Sequence, residues 1–120
     1  MAEIEGQELA QAIGVYADEK QAEDVVILDL RGKSTITDFF VICTGTSLPH
    51  LKAIKNVINE KLATDHGVKA RTPDGVAESQ WLVMDYGDVI VHMFHAEKRG
   101  VYALEDLWSD APRIDFSDAA

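Results

Sequence analysis

Trp81-Leu82-Val83-Met84-Asp85-Tyr86-Gly87-Asp88-Val89-Ile90-Val91-His92-Met93-Phe94 is the stretch that decides the fold. Two apolar runs, 81–84 and 89–94, flank Asp85-Tyr86-Gly87-Asp88, where Gly87 can take the positive φ that a tight hairpin demands. Strand alternation sets Trp81, Val83 and Asp85 on one face and Leu82 and Met84 on the other. The second strand sets Ile90, His92 and Phe94 against Val89, Val91 and Met93. Both faces are largely apolar, as in a central strand pair. From Glu97 the period changes, and Val101, Leu104 and Trp108 share one face of an expected closing helix over 97–108. The run from Trp81 to Trp108 thus offers almost no catalytic apparatus and reads as a surface built for contact.

Upstream, Leu9, Ile13 and Tyr16 recur at helical spacing, which predicts a helix over 8–20 weakened by Gly14. Short β-branched runs at 24–30 and 36–44 predict a hairpin, with turn chemistry in Arg31-Gly32-Lys33-Ser34. Leu51, Ile54, Ile58 and Leu62 then define a long helix, with Ser47 as N-cap, Pro49 in its first turn and Gly67 after its last. A short edge strand is expected over 68–72, ended by the turn Pro73-Asp74-Gly75. The fold class is therefore α/β, a mixed sheet of about five strands with flanking helices. Three helices for about five strands leave one sheet face partly open, and that face would present Trp81, Tyr86 or His92.

A chain of 120 residues suits one domain with its own core, expected over 1–108, followed by an acidic and mobile tail over 109–120. No stretch approaches the roughly 20 apolar residues that cross a bilayer. The first residues lack the basic start and apolar middle of a secretory signal, so a cytoplasmic location is expected. Cys43, the single cysteine, sits within Phe39-Phe40-Val41-Ile42 and fits a buried small hydrophobe. With 21 acidic against 11 basic residues the net charge is −10, a field that repels phosphate backbones and steers basic partners inward. Direct nucleic-acid binding is disfavoured as the main activity.

Thr44-Gly45-Thr46-Ser47, at a strand-to-helix junction, could hold an anion on free amides and the helix dipole. A turn of this kind also opens nucleotidyltransferase folds, whose chemistry needs clustered carboxylates around a divalent metal. No Asp-x-Asp pair follows the turn, and Asp85 and Asp88 straddle a hairpin instead, so capping is favoured over nucleotide binding. His92 and His95, three apart on a strand, point to opposite faces and cannot both ligate one metal. His50 and His66 stand apart from them. No metal and no cofactor are expected.

Asp38-Phe39-Phe40-Val41-Ile42-Cys43-Thr44-Gly45-Thr46-Ser47, His50, the 81–94 hairpin and Tyr102-Ala103-Leu104-Glu105-Asp106-Leu107-Trp108 resemble the Iojap family, the ribosomal silencing factors. The resemblance runs from the first helix to Trp108, and its most specific part is Asp85-Tyr86-Gly87-Asp88-Val89-Ile90-Val91-His92. It implies a nucleotidyltransferase-like fold without the catalytic carboxylates and a protein that is not an enzyme. It further implies binding to the large ribosomal subunit through ribosomal protein fourteen, a block on joining of the small subunit when nutrients are short, and a homodimer in isolation. Toward such a partner, Trp81 and Tyr86 would be aromatic anchors and Glu78, Asp85 and Asp88 would face its lysines and arginines, with His92 a further contact. Two other readings stay open: a metal-dependent nucleotidyltransferase-like enzyme using Gly45, Thr46 and Ser47, and a dimeric adaptor for another basic partner.

Overall fold

A computed structural model describes residues 6–32, 37–69, 73–76, 81–95 and 111–114; the side chains of 73–76 and of Trp81 are outside that description. The elements run α1 (Gly6–Glu19), β1 (Glu23–Asp29), β2 (Phe39–Gly45), α2 (Leu48–His66), β3 (Pro73–Val76), β4 (Trp81–Asp85), β5 (Val89–His95) and β6 (Arg113–Ile114). They build one six-stranded sheet in the order β3-β4-β5-β2-β1-β6. The fold is α/β with a mixed sheet, as expected. β1 and β2 pair antiparallel, and so do β4 and β5, which are the two hairpins the sequence predicts. The central pair, β2 with β5, is parallel, with Phe39 opposite Val89 and Gly45 opposite His95. A parallel pair needs a long crossover, supplied here by α2, β3 and β4.

Each helix ends for a reason visible in its residues. Ser47 caps α2, its hydroxyl accepting from the His50 N–H at 3.2 Å. Gly67, at φ 68°, closes that helix with its N–H donating to the Ala63 carbonyl at 3.2 Å. α1 ends in a Schellman motif, Gln21 N–H to Asp18 O at 2.8 Å and Ala22 N–H to Ala17 O at 3.0 Å. The left-handed position that motif requires is filled by Gln21 at φ 65°, where glycine would sit without strain.

Both helices lie on one face of the sheet. Leu9, Ala10, Ile13 and Ala17 of α1 and Leu51, Ile54, Ile58 and Leu62 of α2 share a core with Ile27, Phe39, Val41, Cys43, Leu82, Met84, Val89, Val91 and Met93. Cys43 is fully buried there, as a small hydrophobe. Across the sheet Leu28, Leu30, Ile42, Phe94 and Ala111 form a second cluster, with Val26 and Phe40 at its margin. Lys61 of α2 ties the helices together, its ammonium 5.3 Å from the centre of the Tyr16 ring and 3.5 Å from Glu19 Oε1.

Three expectations change. Pro73-Asp74-Gly75, expected to be a turn, belongs to strand β3, paired antiparallel with β4 from Pro73 opposite Met84 to Val76 opposite Trp81. Proline is tolerated there because it is the first residue of an edge strand. Val68 and Lys69, expected in a strand, are outside one, and 70–72 lie outside the described residues. Ala111 to Ile114, grouped with the tail by composition, are part of the fold: Ala111 is buried and β6 pairs with β1, Ile114 opposite Ile27. The closing helix expected over 97–108 lies outside the described residues.

Replacing Gln21 with glycine removes the left-handed strain at the end of α1 and is expected to raise stability by up to about 1 kcal/mol, less the added freedom of the unfolded chain. Urea denaturation measures it, with Gln21→Ala as a control expected to gain nothing; a Gln21→Gly protein less stable than the original would show that the side chain contributes more than the backbone strain costs.

Candidate functional site

Gly45 ends β2 buried, and a Cβ placed on it would meet Leu51 Cδ2 at 2.7 Å and Leu51 N at 3.3 Å. The glycine thus lets the start of α2 approach the sheet closely. The Thr46 N–H donates to His50 Nδ1 at 3.0 Å, which makes Nδ1 the bare nitrogen and leaves Nε2–H to donate to the Lys20 carbonyl at 2.9 Å. One imidazole therefore welds the β2–α2 turn to the end of α1. The amides of Thr46 and His50, which an anion would need, are already engaged within the chain. Gly45, Thr46 and Ser47 are brought together as a structural joint.

The β4–β5 turn is equally bound up. Asp85 Oδ1 accepts from the Gly87 N–H at 2.7 Å, Tyr86 N–H donates to Val89 O at 2.9 Å, and Gly87 takes φ 89°. The Asp88 carbonyl accepts from the N–H groups of Asp38 and Phe39, at 3.1 and 3.0 Å, and the Thr37 hydroxyl donates to the Gly87 carbonyl at 3.1 Å. This fixes the tip of the hairpin against the start of β2. Asp85 and Asp88 are both half-buried at that tip.

Of the residues the sequence groups as a contact patch, Tyr86 and His92 are buried on opposite faces of the sheet. Tyr86 is 8% exposed and belongs to the helix-covered core, its hydroxyl donating to Asn59 Oδ1 at 3.3 Å and lying 3.5 Å from Met84 Sδ. Burial holds its phenol above the usual range. His92 is 7% exposed on the opposite face, edge-on to Phe40 with centroids 4.5 Å apart and stacked with Phe94 at 6.3 Å. Burial pushes its pKa down to about 4. The backbone of Trp81 stands opposite Phe94 in β5 and Val76 in β3. The Trp81 side chain and Glu78 lie outside the described residues. Among the described residues no group of three or more His, Cys, Asp or Glu could hold a metal ion.

What sequence patterning missed is the neighbourhood of Ile90. The parallel register sets Phe40 beside Ile90, and Asp85 lies opposite Ile90 on the other side. Asp38 and Asp88 occupy the positions just before these two strands. Face alternation alone could have paired Asp38 with Phe40 and Asp88 with Ile90, but not brought the two strands side by side.

The chain matches the family model described as "Ribosomal silencing factor during starvation" over residues 3–120. It is 40% identical over 112 residues to the ribosomal silencing factor RsfS of Halalkalibacterium halodurans, covering 93% of this chain and 95% of that one. It is 42% identical to that of Bacillus subtilis over 98 residues, 82% of each chain. A mouse protein named "Mitochondrial assembly of ribosomal large subunit protein 1" is 32% identical over 76% of this chain and 41% of its own. Among solved structures, a Bacillus halodurans protein superposes with a TM-score of 0.76 at 38% identity, covering 92% of this chain and 99% of that one. A Chromobacterium violaceum protein gives 0.80 at 28% identity over 88% of each.

The buried imidazole has a pH signature. Unfolded, His92 takes up a proton below its ordinary 6.5; folded, it does so only near 4, so stability is complete above 6.5 and is lost as the pH falls toward 4. His92→Leu should therefore lose about 2 to 3 kcal/mol less than the original chain between about pH 7 and pH 4, read by urea midpoints. Parallel pH profiles for the two proteins would show that the folded state accepts the proton without penalty.

Proposed function

Because this chain belongs to the family of ribosomal silencing factors, we propose that it binds the large ribosomal subunit through ribosomal protein fourteen and, by its bulk, keeps the small subunit from joining. The match across residues 3–120 carries this reading. The name of the mouse relative refers to the large subunit, which supports that subunit over the small one. Charge supports it too: a chain of net charge −10 gains steering toward a basic ribosomal protein and is repelled by the surrounding RNA.

The action is steric and requires no chemistry, so the protein is read as a translation repressor and not an enzyme. Its backbone donors at Thr46 and His50 serve the fold. Its place of work is the cytoplasm, with the ribosomes, and no helix among the described residues is long and apolar enough to cross a membrane. In the free state, we infer, two copies pair. Trp81 is the aromatic anchor proposed for the ribosomal contact, with Asp85 and Asp88 facing basic groups and Glu78 beside them; the burial of Tyr86 and His92 gives those two a supporting place under the surface.

Sedimentation through sucrose tests the partner. The chain is expected to travel with purified large subunits, not with small subunits, and to lower the fraction of assembled ribosomes when both are mixed. Equal association with both subunits would sink the reading. Trp81→Ala is expected to weaken binding to large subunits by about 2 kcal/mol, the hot-spot threshold, with an unchanged circular dichroism spectrum.

A further inference from the structure

Helices α1 and α2 take one face of the sheet, and the other face is not uniformly closed. There Leu28, Ile42, His92 and Phe94 are buried, whereas Phe40, Val83, Asp85 and Ile90 are half-buried. Register makes these four residues contiguous. Phe40 and Asp85 flank Ile90 on its two sides, and Val83 lies one row further along the same face, opposite His92. Apolar surface thus reaches solvent at one corner, where β2 and β5 begin and β4 ends. Asp38, exposed, and Asp88, half-buried, stand at that same end, joined by the Asp38 N–H to Asp88 carbonyl bond of 3.1 Å. Asp85 is held in place by its 2.7 Å bond from the Gly87 N–H.

We propose that this corner, Phe40, Val83 and Ile90 rimmed by Asp38, Asp85 and Asp88, is the docking surface for a basic protein surface that presents an apolar side chain between lysines or arginines. The identity of that partner rests on the function proposed above; the chemistry of the corner does not. Carboxylates around an apolar centre favour such a surface and repel the phosphates of RNA. They also oppose a second copy of the chain, because a two-fold contact would set the same three carboxylates against their equivalents on a molecule of equal charge, −10. The neighbouring edge of the sheet shows how the rim can grip a guanidinium. Asp29 holds Arg31 with two bonds, 3.0 Å from Nε and 2.7 Å from Nη2, while the guanidinium lies 5.1 Å from the centre of the Phe39 ring.

The test measures affinity of the full chain for purified large ribosomal subunits. Asp38→Lys with Asp88→Lys, and separately Ile90→Ala, should each weaken binding about tenfold or more, as loss of a central contact or of complementary charge does. Glu8→Lys with Glu60→Lys changes the net charge equally on exposed helix positions and should leave affinity nearly unchanged. Thermal unfolding checks that each variant is folded. Wild-type affinity in both corner variants overturns the proposal, as does an equal loss in the helix variant, which would reduce the effect to net charge. Conversion of a dimer to a monomer by Ile90→Ala, with subunit binding intact, overturns it in favour of a second copy. If the original chain does not bind large subunits, the functional reading fails by itself, and the corner is then judged with a short cationic peptide carrying leucine between arginines. Amide shifts from that peptide confined to 38–40 and 83–91 support the corner, and shifts spread over all acidic surfaces overturn it.

Discussion

Everything in this molecule hangs on β2. Its seven residues, Phe39–Gly45, are hydrogen-bonded on one side to β1 and on the other to β5, and all but Phe40 are buried. A strand with both edges paired and both faces covered exposes no backbone group to water, and it can exist only if material is packed above and below it. On one side α1 and α2 supply that material through Leu9, Ile13, Leu51, Ile54, Ile58 and Leu62. The single half-buried residue, Phe40, marks where the cover on the other side thins, and the docking corner begins there.

Local chemistry was legible and long-range pairing was not. Leu51, Ile54, Ile58 and Leu62 repeat with helical period between a serine and a glycine, so α2 could be bounded from its residues. The hairpin at Gly87 was equally plain, since its turn and its alternation lie within fifteen consecutive positions. By contrast, no local pattern says that Phe39–Gly45 runs parallel to Val89–His95, and without that fact Phe40 and Ile90 remain residues of separate strands. Tyr86 follows β4 and looks exposed beside a turn, yet its ring goes under α2 to Asn59, because the loop it belongs to is pinned by Asp85, Asp88 and Thr37. Pro73 misled for a different reason: proline ends a central strand but is at ease as the first residue of an outer one.

Electrostatics and packing divide the labour of recognition. A net charge of −10 acts over a Debye length of about 8 Å and decides which surfaces approach, but it is shared by the whole chain and marks no single spot. The spot is marked by the half-buried Phe40, Val83 and Ile90, whose removal from water supplies affinity that salt does not screen. Neither component requires a moving part. The His50 imidazole joins Thr46 to Lys20 and the hairpin tip is bonded to β2, so the surface is set before contact, and little ordering entropy is lost on docking.

The outermost strands have a colloidal consequence. A sheet with bare edges recruits further strands from its neighbours and grows into fibres. Here one flank opens on a proline, and the other is closed by Arg113–Ile114, two residues with a cation among them, while the Asp29 N–H is taken by the Pro112 carbonyl at 2.8 Å. Among the described residues the two outermost strands are four and two residues long, so the length of sheet edge that could pair with a neighbouring chain is short.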